Sequence, residues 1–114
     1  MRKVVATLAG IIAMGTLVAA QGAKVEAGKA IFAAQKCGTC HKVDGVGGKL
    51  ASDLTGVGSK ISDGDVRKWL TKPAEMEAKL DPKPKMLMSS YLKTHKLSDA
   101  DVEALTAYMM SLKK

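Results

Sequence analysis

The sequence predicts an all-α domain with long loops, and three observations carry that prediction. Apolar residues recur at helical spacing near both ends of the 114-residue chain. A shorter segment of the same period, with polar residues ready to cap it, lies between them. From Asp44 to Lys60 the chain carries Gly45, Gly47, Gly48, Gly56 and Gly58 with no sustained period of either kind, which marks loop rather than strand.

The elements follow in order. Val25, Gly28, Ile31 and Phe32, with Ala27, Ala30, Ala33 and Ala34 between them, predict an amphipathic helix over 24–35. Glycine inside a helix costs about 1 kcal/mol relative to alanine, so Gly28 implies that another backbone passes close to it. The glycine-rich stretch is long for a loop in a small domain and needs something to wrap, with Leu50, Leu54 and Val57 turned toward it. Ser62 or Asp63 caps a short helix carrying Val66, Trp69 and Leu70, with Trp69 in the core, and Pro73 ends it. Pro82 and Pro84 enforce an extended approach to Met86-Leu87-Met88. Ser98-Asp99-Ala100-Asp101 is a near capping box that opens a last helix to about Leu112, with Val102, Leu105, Met109 and Leu112 as its buried stripe.

The first 20 residues stand apart from this plan. Arg2 and Lys3 precede an uncharged run from Val4 to Ala20 that ends in the small residues Val18, Ala19 and Ala20, the pattern of a cleaved secretory signal. The alternative is an uncleaved membrane anchor, which would lie at the short end of the roughly 17–25 residues that span a bilayer. Cleavage near Gln21 takes 20 residues from 114 and leaves 94, enough for one small domain. It also takes the 18 basic residues to 16 against 11 acidic ones, a formal net charge of +5. A basic surface attracts acidic partners. Nucleic acid is excluded on scattered lysines, on the lack of interleaved aromatics and on export.

Chemistry concentrates in Cys37-Gly38-Thr39-Cys40-His41. Two thiols separated by two small residues sit a helical turn apart, as thioether bonds to the two vinyl groups of one porphyrin require. An imidazole directly after them reaches under the ring to the iron. The motif therefore reads as a site for one covalently bound haem c, with Cys37 and Cys40 as thioethers and His41 as proximal ligand. A thioredoxin-like dithiol would need a βαβ surround that is missing here, and a zinc site would need about four ligands where only His95 remains. A disulfide across so short a loop would constrain little. With one Phe, one Trp and two Tyr, the chain gains much of its interior from such a ligand. Met86, Met88 and His95 are the downstream side chains able to take the second axial position. The proline-stiffened approach favours the methionines, and spacing alone leaves both open.

These residues resemble a small class I cytochrome c over nearly all of 21–114. Gly28-Lys29-Ala30-Ile31-Phe32 resembles the family's N-terminal helix, and Leu105-Thr106-Ala107-Tyr108 resembles the C-terminal helix that crosses it. Asp53-Leu54-Thr55-Gly56 resembles the loop after the haem-binding histidine, and Met88-Ser89-Ser90-Tyr91 the segment of the ligand methionine. The resemblance implies crossed terminal helices, loops wrapped round one haem, and Met88 rather than Met86 on the iron. Two residues depart from the family pattern. Ser52 stands where a proline carbonyl usually accepts from the proximal imidazole, and Ser89 replaces the proline that usually follows the methionine.

The implied function is electron transfer in the periplasm by a monomer that is not an enzyme and takes no small-molecule substrate. With His41 and Met88 on opposite faces of the iron, the protein sets the potential and exposes a haem edge to redox partners with acidic surfaces. Lys36, Lys42, Lys83, Lys85 and Lys93 are the lysines placed to steer them. Two other readings remain at this stage: a fixed electron-transfer subunit of a larger periplasmic oxidoreductase, or an open-site haem protein that binds a small ligand or peroxide.

Overall fold

The computed structural model describes residues 20–114. The signal segment expected over 1–20 thus lies almost wholly outside the described residues. Helix α1 occupies residues 20–34, extending further toward the N-terminus than the apolar pattern because Ala20, Gln21 and Ala23 are good helix formers. A 3₁₀ turn, Cys37–Thr39, follows, and then a two-residue antiparallel pair, β1 (Lys42–Val43) and β2 (Val46–Gly47). The loop continues to a second 3₁₀ turn at Val57–Ser59. Helices α2 (Asp63–Thr71), α3 (Pro73–Glu77), α4 (Met88–Thr94) and α5 (Asp99–Ser111) complete the all-α domain.

The two expected caps are in place. The Ser62 hydroxyl accepts from the Asp65 N–H at 3.1 Å and opens α2. At α5, Ser98 Oγ accepts from the Asp101 N–H and Asp101 Oδ2 accepts from the Ser98 N–H, each at 3.1 Å, so aspartate closes the capping box despite being shorter than glutamate. Pro73 behaves differently from the expectation of a simple stop: it ends α2 and sits in the first turn of α3, where its fixed φ and missing N–H do no harm.

Helix α5 is the centre of the packing. Val102, Leu105 and Met109 are buried as the stripe predicts, but so are Ala104, Thr106 and Tyr108, because α5 meets neighbours on more than one side. Val57, Val66, Tyr108 and Met109 form the core cluster, with Val25, Phe32, Leu54, Ile61 and Leu70 packed against it. Trp69, expected in the core, is half-buried and outside that cluster, while Leu50 is 63% exposed. Within α2 Arg67 donates to Asp63 at 2.6 Å, and across the contact with α5 it donates to both carboxylate oxygens of Glu103. That pairing holds the Glu103 carboxyl below its usual range and pushes Arg67 further up. Both groups are exposed, so the bridge fixes register more than it stabilises.

Helices α1 and α5 cross at Gly28. A β-carbon there would overlap the carbonyl oxygen of Ala104 and lie 2.6 Å from Cβ of Tyr108. The Phe32 and Tyr108 rings meet edge to face beside this point, with centroids 5.7 Å apart at 74°. Gly28→Leu is therefore expected to overpack the crossing and destabilise the protein by roughly 1–3 kcal/mol. Thermal unfolding of the purified protein checks this, at about 4–8 °C in Tm for each kcal/mol in a domain of this size.

Candidate functional site

The turn that holds the two thiols is fixed by its own backbone. Lys36 enters it with φ 57°, and the carbonyl of Cys37 accepts from the N–H of Cys40 at 3.2 Å and of His41 at 3.0 Å. Cys37, Cys40 and His41 thus occupy one helical turn, and all three are half-buried. Both cysteines are free. Burial pushes the Cys37 thiol above its ordinary range, partly opposed by a backbone hydrogen bond, with neighbouring Cys40 adding a smaller upward push.

The glycine-rich loop packs against that turn. The Gly48 N–H donates to the Gly38 carbonyl at 2.8 Å, and a β-carbon at Gly48 would overlap the carbonyl of Thr39. Ala51 N–H donates to Cys40 at 3.0 Å and Leu54 N–H to Lys42 at 2.8 Å. These two bonds bracket Ser52. Its carbonyl oxygen lies 2.8 Å from Nδ1 of His41. Because a carbonyl only accepts, Nδ1 carries the proton and Nε2 keeps its lone pair free for a metal. The backbone of Ser52 thereby supplies the contact that the family's proline carbonyl makes.

On the other side of the chain's sequence, Leu87 takes the N-cap position of α4 and Met88 its first turn. Met88 is half-buried and Met86 is 56% exposed. The two do not share one side of an extended segment, as two-residue spacing allows, because the helix begins between them. Tyr91 donates its hydroxyl to the carbonyl of Gln35, which ties α4 to the residues just before Cys37. His95 is half-buried and stacked on Tyr91 with ring centroids 3.9 Å apart, its Nδ1 beside the Tyr91 carbonyl at 3.1 Å. Glu77 is the residue here that sequence reasoning passed over. It is 5% exposed, and its Oε2 accepts from the N–H of Ser89 at 2.9 Å.

Among the described residues no three His, Cys, Asp or Glu side chains converge to hold a bare metal ion. Compared with known protein families, residues 25–113 match the family model described as Cytochrome c. The chain belongs to the cytochrome c family. It is a small class I cytochrome c, and its cofactor is covalently attached haem c with its iron. The family moves electrons through that haem, and its members are typically periplasmic or extracellular. No curated protein and no solved structure compared with this cytochrome matches it. The residues present fit the group: two free thiols one turn apart and an imidazole oriented by a carbonyl.

Proposed function

We propose that this cytochrome is a periplasmic single-haem electron carrier held by Cys37 and Cys40, with His41 as proximal and Met88 as distal ligand. The observation that carries the reading is the tethered imidazole: Nδ1 of His41 on the Ser52 carbonyl at 2.8 Å, directly after two free thiols in one turn. Haem bound there supplies a one-electron couple at iron. The residues do the rest. The thiols fix the ring to the chain, and the Ser52 carbonyl orients His41 and raises its basicity. The sulfur of Met88, a soft neutral donor, favours the reduced state. The half-buried position of Met88 against the exposure of Met86 supports this choice of sulfur, as does the tie from Tyr91 to Gln35.

His41 and Met88 would be the residues that hold the iron, and haem held by both would supply electron transfer with no place for a substrate; the chain's own work would be to keep those two side chains still. Lys36, Lys83, Lys85 and Lys93 are exposed and Lys42 half-exposed, a basic set suited to acidic redox partners. An optical redox titration of the purified holoprotein tests the reading: one reversible one-electron transition at high potential is expected, and a low-potential or multi-step transition would defeat it. Export is tested separately. Mass spectrometry of the periplasmic fraction should give an N-terminus near Gln21 and the mass of one haem, whereas the full-length chain in membranes would support the anchor instead.

A further inference from the structure

Helix α4 has no side-chain cap of its own. Leu87 at its N-cap offers no acceptor, and the first backbone bond of the helix runs from the Tyr91 N–H to the Leu87 carbonyl. The N–H of Ser89, in the first turn, must therefore find a partner outside the helix. It finds the side chain of Glu77, the last residue of α3. A carboxyl group buried to 5% exposure is costly to desolvate and persists where its oxygens are bonded. At the positive end of a helix it also meets the dipole favourably. Ser89 is what makes the bond available: a proline at this position has no N–H to give.

We propose that Glu77 is a positioning residue for the distal ligand: through the Ser89 N–H its carboxylate fixes the first turn of α4, and with it the sulfur of Met88, which is one residue away. The proposal rests on Met88 being the distal ligand. Proline would stiffen this peptide by restricting the unfolded chain. The buried carboxylate stiffens it by a contact in the folded one.

The test uses ferric holoprotein titrated with imidazole. Added imidazole reaches the iron only when the sulfur leaves, so its apparent affinity scales with the population of the detached state. Glu77→Ala should tighten apparent imidazole binding about tenfold, the effect of losing one hydrogen bond to a charged group, and should weaken the far-red sulfur-to-iron band. Glu77→Gln retains an oxygen acceptor and should restore most of both. In a Ser89→Pro background, where no N–H remains to be held, Glu77→Ala should change imidazole binding by less than about twofold on the same reasoning. A lowered Tm with unchanged imidazole affinity would leave Glu77 a structural residue only and overturn the proposal. Equal tightening in both backgrounds would overturn its route through Ser89. Should Glu77→Ala yield no holoprotein, amide exchange of the reduced wild type decides. The Ser89 N–H should exchange at least about tenfold more slowly than in an open chain, and open-chain exchange would overturn the proposal. If the wild type lacks the far-red band and Met88→Ala leaves imidazole binding unchanged, the ligand assignment and this proposal fall together. A band lost in Met88→Ala and intact in Glu77→Ala defeats the role of Glu77 alone.

Discussion

Met88→Ala is expected to remove the far-red sulfur-to-iron charge-transfer band of the ferric protein completely, lower the reduction potential and open the reduced iron to carbon monoxide. The reason is local. Met88 lies in the first turn of α4, half-buried, and α4 is tied to the residue two before Cys37 by the Tyr91 hydroxyl on the Gln35 carbonyl. Met86 lies before the helix and is 56% exposed, so Met86→Ala should leave all three properties nearly unchanged. His95→Ala should do the same, because its ring is stacked on Tyr91 and its Nδ1 is engaged with the chain. Opposite behaviour of the two methionine variants would move the ligand to Met86. A spectrum that answers only to His95→Ala would make the site bis-histidine and end the high-potential reading. Carbon monoxide binding by the reduced wild type would make it an open-site haem protein.

Replacing Cys37 and Cys40 together by alanine should abolish holoprotein altogether. In the wild type the haem should stay on the polypeptide through denaturation and organic extraction; its release would rule out thioether bonds. The effect is expected to extend beyond the cofactor. The buried cluster Val57, Val66, Tyr108 and Met109 is small. A domain this short buries only about 60–70% of its unfolded surface, and a large apolar ligand adds to a core of that size. The double variant should accordingly lose cooperative thermal unfolding, followed by circular dichroism.

What could be read in advance follows from where the physics is local. Ser62 and Ser98 each precede acids at capping distance, and both helices start there. Gly28 signalled a close approach by being the wrong residue for a helix interior, and Ala104 and Tyr108 are what comes close. The order Cys, Cys, His declared its chemistry through spacing alone. Pro73 reads as a stop for α2, but proline followed by Ala, Glu, Met and Glu is also a helix start, and that is the signal for α3. Helix α4 gave less warning. It has seven residues and an apolar N-cap, and its acceptor, Glu77, comes from twelve residues upstream, a distance no helical period encodes. The pair β1–β2 is too short to show alternation. Trp69 is apolar yet only half-buried, because hydrophobicity ranks burial on average and does not say which apolar residue a small domain leaves at its surface.

The bond between His41 and Ser52 bears on how this protein tolerates change over generations. Its acceptor belongs to the main chain, so any residue that keeps the local path leaves the imidazole as it was, and position 52 is free to drift. Path length is another matter. The Ala51 and Leu54 amides are pinned to Cys40 and Lys42, so gaining or losing one residue between 42 and 54 would break the register that brings the carbonyl to the ring. Here the fragile quantity is the number of residues in the loop, and the identity of most of them is secondary.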